Sequence, residues 1–448
     1  MGTRFVNIDR QTPMLMPPDL REWVRGDDLA HFILEALEVS DLSAAALNVR
    51  GTGSKQYPPG MMLAILIYSY AKGTFSSRQI EAATYRNVSV RFLAGDTHPD
   101  HDTIAKFRRE NGKLLKSVFV QVLRLAKASG LLRVGAIAID GTKLKANAAK
   151  SKTRRLSQIE EEIKAMDAEV NSLLERAEAA DQSDGADSAD LPGDLADAQV
   201  RRERLLKAKA ELEAQTQQLH QEREKQRKIE KERGISSDGR VGAVSPVPKP
   251  TARINPTDPQ SALMPSKQQG FIQGYNAQMA VSVPEGPHDV GLIVAAEVVT
   301  ETSDILQLEP MGRKAIENLQ QAPKRVLVDT GYDNTRQILA LEGDYGLEVL
   351  CPPARNVMIK DGHVSPYQWD RRRRDARIAM GKRFELPENR GIYRKRSTSV
   401  EPDFSIVKNA MGFDRFRLRG VRKVGIEWTL VALAFNCRRL AVERDQWN

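Results

Sequence analysis

Two aspartates, each closing an apolar run, are the residues in this sequence best suited to chemistry. Val134-Gly-Ala-Ile-Ala-Ile-Asp140 ends on a carboxylate and is broken at once by Gly141 and Thr142. Arg325-Val-Leu-Val-Asp329 repeats the arrangement, followed by Thr330-Gly331-Tyr332. Short apolar runs bounded by turn residues predict strands buried on both faces. A carboxylate at the end of such a strand is costly to bury without a counter-charge. A metal ion is one such counter-charge. Taken alone, each aspartate is accounted for by a cap on a turn or on the next helix. The pair, far apart in sequence, predicts acids brought together by the fold.

Further candidates lie toward the C-terminus. Glu401 and Lys408 are seven residues apart, two helical turns, so one helix turns both toward the same groove. Phe413-Asp-Arg-Phe-Arg-Leu-Arg-Gly alternates bulky apolar residues with Arg415, Arg417 and Arg419, a surface able to follow a phosphate backbone. Arg371-Arg-Arg-Arg-Asp-Ala-Arg reads equally as solvated charge or as a phosphate contact. Upstream, His98, His101 and Asp102 have metal-ligand side chains. Asp102 before Thr103-Ile-Ala-Lys-Phe reads more simply as a helix cap.

The elements that must position these groups follow from periodicity. Residues 1–130 predict an all-α N-terminal domain. Pro58 to Ala71 is a strongly apolar helix that ends near Gly73, and Thr74-Phe-Ser-Ser-Arg-Gln-Ile-Glu opens another helix with capping serines. Helix, glycine turn, helix resembles a helix-turn-helix, with Arg78 where a base or phosphate contact would sit; an ordinary helical hairpin accounts for it as well. Residues 131–150 carry the first strand. Within 151–235, Leu156, Ile159, Ile163, Met166, Val170, Leu173 and Ala177 form a heptad seam, and Leu205, Ala208, Leu212, Thr216 and Leu219 form a second stripe. They predict an antiparallel coiled-coil hairpin inserted into a domain already begun, with Ala179 to Gly193 as its turn. Residues 236–269, rich in Pro, Ser and Gly, predict a linker or extended segment. Residues 270–448 predict a strand hairpin, a helix starting at Ser303, the Asp329 strand, another helix, a strand from Gly346 and a closing helix over Trp428 to Leu440. That order is a mixed α/β sheet covered by helices.

Composition bounds the function. Length 448, 41% hydrophobic and 28% charged residues fit a multidomain soluble chain. A net charge of +9 points to a polyanionic partner. Two cysteines, Cys351 and Cys437, in unlike contexts argue against a disulfide framework or cysteine zinc site. No run reaches the roughly 18 apolar residues of a membrane span and no signal core opens the sequence, so a cytoplasmic location without membrane contact is the plain reading.

Several stretches carry a resemblance. Tyr68-Ser-Tyr-Ala-Lys-Gly, Ser76-Ser-Arg-Gln-Ile-Glu, His98-Pro-Asp-His-Asp-Thr-Ile-Ala-Lys-Phe-Arg, Ile139-Asp-Gly-Thr-Lys, Thr257-Asp-Pro, Gly274-Tyr-Asn-Ala-Gln and Val328-Asp-Thr-Gly-Tyr occur in this order. Tyr393, Arg396, Glu401 and Lys408 complete a tyrosine–arginine–glutamate–lysine signature. Nearly the whole chain resembles a bacterial insertion-sequence transposase of the DDE class, close to insertion-sequence family eleven-eighty-two within the IS-four/IS-five-like assembly. The stretch from Pro353 to Tyr393 lacks the cysteine-containing segment expected of close relatives.

The resemblance implies a ribonuclease H-like core in which Asp140, Asp329 and Glu401 hold Mg2+, with Mn2+ as the alternative ion. It implies cutting of element ends and their joining to target DNA. Arg396 and Lys408 are expected to neutralise phosphate or position the DNA end, and Tyr393 to stack on a base or pack. The implied partners are double-stranded DNA, both terminal inverted repeats and target, and a second copy of the chain in a homodimer or larger assembly. Readings from other classes are a catalytically silent DNA-binding protein of the same descent and a metal-dependent nuclease that never joins strands. Glu427 is the reserve candidate for the third acid.

Overall fold

The computed structural model describes residues 19–47, 55–182, 191–232, 245–266, 269–286, 288–352 and 371–445. Seven helices come first: α1 Leu20–Trp23, α2 Leu29–Glu38, α3 Pro59–Ala71, α4 Ser77–Arg86, α5 Val88–Leu93, α6 His101–Glu110 and α7 Gly112–Ala128. Strand β1 is Ala136–Lys145, and the short β2 is Arg154–Arg155. Two long helices follow, α8 Leu156–Gln182 and α9 Leu191–Glu232. Then come β3 Arg253–Ile254, β4 Ala262–Ser266, β5 Gly270–Val283, β6 Ile293–Val299, α10 Leu308–Leu319, β7 Arg325–Leu327, α11 Thr335–Tyr345 and β8 Glu348–Leu350. The chain ends in α12 Arg371–Glu385, α13 Pro387–Ser405, a wide π turn at Ile406–Ala410, and α14 Val421–Asp445.

The main sheet runs β4-β5-β1-β7-β8, with β6 also paired to β5. Strands β1, β5 and β6 pair antiparallel, whereas β1, β7 and β8 pair in parallel. The protein is therefore a mixed α/β fold, as the periodicity predicts. Asp140 differs from expectation, because β1 does not end there. Residues Gly141 to Lys145 keep pairing with Gln278 to Gly274 of β5, while the parallel pairing with β7 stops at Ala138↔Leu327. Asp140 thus lies where β7 has left the sheet and one edge of β1 has opened.

Helix α14 packs on α3 and α7 and also covers β6, and α13 lies on β1 and β5. One continuous apolar core runs from Val24 to Ala441, so the N-terminal helices share it with the sheet. Asn436 on α14 bonds both the N–H and the carbonyl of Ile293 at 2.9 and 2.8 Å, satisfying backbone groups along β6 that burial would otherwise leave costly. Among the described residues no helix is long and apolar enough to cross a membrane.

Helices α8 and α9 pair antiparallel. Lys209 bonds Glu160 at 2.8 Å, Arg202 bonds Asp167, and Arg201 lies 3.6 Å from Glu169. Leu156, Ile159, Leu205, Ala208, Leu212 and Ile254 make a small separate core between them. Leu219, expected on the α9 stripe, is exposed, since α8 has no residue left to face it. The centre of the expected turn, residues 183–190, lies outside the described residues, as do 233–235 at the end of the expected hairpin, 236–244 of the expected linker, and 353–370.

Two local readings need correction. The cap of α6 is Asp100, whose carboxylate accepts the Asp102 and Thr103 N–H groups; Asp102 is already in the first turn. Extended backbone after Pro99 starts this helix two residues earlier than the apolar pattern does. The helix expected from Ser303 begins at Leu308, and the residues ahead of it form a turn that serves the site.

Candidate active site

The open edge of β1 is where the predicted acids meet. Arg396, on α13, is buried, and its guanidinium reaches all of them. Nη2 lies 2.9 Å from Asp140 Oδ2 and 3.9 Å from Asp329 Oδ2, while Nη1 lies 3.4 Å from Glu401 Oε1. Asp140 is largely buried, with its side chain 20% exposed, whereas those of Asp329 and Glu401 are 45% and 56% exposed. One cation is shared by three anions, two of them open to solvent.

Each acid has its own local reason to be there. Asp140 accepts the Gly141 N–H at 2.8 Å. Asp329 caps the short turn Thr330–Tyr332 through the Gly331 N–H at 2.9 Å, so the capping role and the clustered role coexist in one residue. Its backbone carbonyl accepts from the Cys351 thiol at 3.3 Å. Glu401 precedes Pro402, which lies inside α13. A proline there removes a helical N–H, and the helix then widens into the π turn carrying Lys408, a distortion frequent at functional sites.

A fourth acid was not foreseen. Asp304, in the turn before α10, accepts from Asn276 Nδ2 at 2.6 Å and Gln278 Nε2 at 2.7 Å, and lies 3.2 Å from Lys143 Nζ. It packs directly over Gly141, where a Cβ would collide with Gln278 and lie 2.7 Å from Asp304 Oδ1. Tyr332, fully buried, donates to Gln278 Oε1 at 2.5 Å. This network ties the residues after Asp329 to β5 and β1. Asn276 and Gln278, two apart on a strand, necessarily share a face. Tyr275, the residue just before Asn276, takes the opposite face and donates to Asp258 at 2.9 Å.

Electrostatics mark the site. Burial pushes the Asp140 carboxyl up to about 6, and Asp329 and Asp304 add to the rise; Arg396 and the Gly141 N–H oppose it without prevailing. Burial lowers the Lys408 ammonium, opposed by Asp140 nearby, and Lys408 donates to Thr142 at 2.5 Å. Tyr393 donates to the Val328 carbonyl at 3.1 Å, beside Asp329, and packs edge-on against Phe384. Burial raises its hydroxyl to about 12.

The remaining predicted contacts lie apart from the acids. Arg415 sits beside Lys145 at the end of β1. Arg417 and Arg419 are exposed, and Arg419 donates to the Asn147 carbonyl at 3.0 Å. Arg78 is exposed in the first turn of α4. His98 and His101 are used structurally: His98 stacks on Tyr85, and His101 lies 2.8 Å from Glu81. Glu427 is enclosed in the core and accepts the Arg417 and Leu418 N–H groups, too far inside to serve as an acid at the open edge. Side chains of Arg371–Arg374 lie outside those described.

The donor set is oxygen-only and suits a hard cation such as Mg2+ or Mn2+. Among the described residues, no three His, Cys, Asp or Glu side chains stand close enough together to hold one metal ion. The acids are gathered around a guanidinium, at the spacing it sets.

Residues 18–110 match a family described as a transposase domain, and residues 351–441 match one described as a transposase DDE domain. These matches support an insertion-sequence transposase. The second match contains Tyr393, Arg396, Glu401 and Lys408, but neither Asp140 nor Asp329. Contacts through Arg396 connect those two aspartates to the matched segment. No curated protein and no solved structure gives a match.

Proposed function

We propose that this chain is a metal-dependent DNA transposase of the DDE class, with Asp140, Asp329 and Glu401 as its acidic triad. The observation that carries the reading is the convergence of these carboxylates on one arginine. Sheet order β6-β5-β1-β7-β8, three strands antiparallel and the last two parallel to β1, supports a ribonuclease H-like core. Within it α8 and α9 are a coiled-coil insertion, and the N-terminal helices are a DNA-binding region. Closeness to insertion-sequence family eleven-eighty-two rests on the motifs alone.

Asp140, Asp329 and Glu401 would hold Mg2+ or Mn2+, which when bound supplies activation of the attacking oxygen and stabilisation of the leaving oxygen. The chain's own groups do the rest. Arg396 and Lys408 present positive charge beside the acids, suited to the non-bridging oxygens of a phosphodiester. Tyr393 holds the end of β7 and so positions Asp329. In cleavage, water attacks phosphorus at the element end and the 3′-oxygen leaves, taking a proton as a 3′-hydroxyl. In joining, that hydroxyl attacks a target phosphodiester, forming one P–O bond as another breaks. Both ends must be held together for this, so the working form is a homodimer or larger on DNA.

The test is Mg2+-dependent cleavage and joining of the DNA flanking the coding sequence, with Asp140→Asn, Asp329→Asn and Glu401→Gln in parallel. Loss of both reactions in every variant, with DNA binding kept, is the expected result. Cleavage without joining would leave a nuclease, and binding without cleavage by the unaltered chain would leave a silent DNA-binding protein.

A further inference from the structure

We infer that the two-stranded ribbon β2–β3, at the base of the helical hairpin, is a second phosphate-binding surface that grips duplex DNA away from the acids. The inference rests on the transposase reading for the identity of the polyanion. Arg155 on β2 pairs directly opposite Arg253 on β3. Like charges opposed across an antiparallel pair, with Cβ atoms about 5 Å apart, are destabilising. Among the described residues neither arginine has a carboxylate partner, and both are exposed. Lys150, Arg154, Arg155 and Arg253 line one groove of about 220 Å³ whose other walls are Thr153, Gln158 and Leu263, with no acid among them. Among the described residues only Arg154 of the four cations is paired, with Glu162 at 2.8 Å. A concave wall carrying four cations, three of them without a carboxylate partner among the described residues, has the sign a phosphate backbone requires.

The ribbon is fixed rigidly to the candidate active site. Asn255 donates to the Ala149 carbonyl at 2.9 Å and to Thr153 Oγ1 at 3.1 Å. Thr153 donates to Gln273 Oε1 on β5 at 2.9 Å, and the Leu156 N–H bonds the Ala252 carbonyl at 2.8 Å. Arg417 and Arg419 bracket Asn147 between the ribbon and β1. Lys145 lies on the order of 17 Å along β1 from Asp140 at about 3.3 Å per residue, and the ribbon follows beyond it. Its phosphates therefore belong to duplex flanking the scissile bond.

The experiment is fluorescence-anisotropy binding of a 40-base-pair duplex, taken from the DNA beside the coding sequence, over a series of NaCl concentrations. The full chain is compared with the triple variant Lys150→Gln, Arg155→Gln, Arg253→Gln and with the charge-keeping variant Arg155→Lys, Arg253→Lys. The expected triple variant binds at least tenfold more weakly and loses about 2–3 from its log–log salt slope, near 0.9 per phosphate contact, while the lysine variant keeps the slope. Circular dichroism melting of the triple variant should not fall, since it relieves an opposed charge pair. Affinity and slope unchanged in the triple variant would overturn the inference, as would no duplex binding by the unaltered chain. If the slope changes as expected but the unaltered chain never cleaves, the ribbon stands and the transposase reading fails; cleavage with an unchanged slope gives the reverse.

Discussion

Glu427 and Asp140 are both buried carboxylates beside an arginine system, yet they are finished differently. Glu427 Oε1 accepts the Tyr70 hydroxyl at 3.0 Å, and Oε2 accepts the Arg417 and Leu418 N–H groups at 2.9 and 3.0 Å. Arg108 completes the set, donating to Tyr70 at 2.6 Å and to the Phe75 carbonyl at 2.9 Å. The cluster joins α3 and α6 to the start of α14. At the open edge of β1 one arginine serves three acids, two of them half-exposed. A buried carboxylate with both oxygens satisfied specifies structure. On the proposed reading, a surplus of carboxylate around a shared cation is what would attract a metal ion. On that reading the difference separates an acid that holds the fold from the acids proposed for chemistry.

Removing Glu427 should break the comparison from the structural side with the largest effect. Glu427→Ala strands two N–H groups and a tyrosine hydroxyl in the core, and should lower stability by about 3–5 kcal/mol in urea unfolding. Asp140→Asn should change stability by no more than about 1 kcal/mol while cutting DNA cleavage at least about 100-fold, the scale of losing a group that stabilises developing charge. Arg396→Gln sharpens the contrast further. It removes the competing cation, so Mn2+ should bind at least about tenfold tighter, a unit charge near 4 Å being worth roughly 4 kcal/mol in a surface-like dielectric, yet cleavage should still fall. The pH response is the mildest test. Burial holds the Asp140 carboxyl near 6, so it is ionised and able to bind metal above that pH. Below it the proton must first be displaced, and Mn2+ affinity in a calorimetric titration should drop up to about tenfold per unit. In stability the same shift has the opposite sign: it favours the folded chain below the ordinary aspartate pKa and is lost as pH rises through 6.

Much of the sheet was legible because its strands are apolar runs bounded by turn residues, and the hairpin because its seam has heptad spacing. Asp140 and Asp329 could be picked out from the same pattern. Its extent misled at Asp140, where glycine looked like a strand end; Gly141 is there to admit Asp304 and Gln278, and β1 continues. Glu401 and Lys408 stood out by a spacing of two helical turns, whereas their roles, and Arg396 altogether, came from the resemblance to a signature. Asp304 was not legible at all. Its role depends on the β1–β5 register, which places Asn276 and Gln278 opposite Lys143 and Gly141, and no local spacing encodes that pairing. The alternate residues of Gly274-Tyr-Asn-Ala-Gln were the available signal: Asn276 and Gln278 share one face and Tyr275 takes the other. Glu427 likewise sits in a run apolar on both sides, which announces burial but not its partners.

The most direct test is Mn2+ binding followed by electron paramagnetic resonance on the full chain without DNA, comparing the unaltered protein with Asp140→Asn and Glu427→Gln, each checked for a folded melt. The account predicts binding by the unaltered protein, loss of at least about tenfold in affinity for Asp140→Asn, and no change for folded Glu427→Gln. Equal Mn2+ binding by Asp140→Asn and the unaltered protein would contradict it.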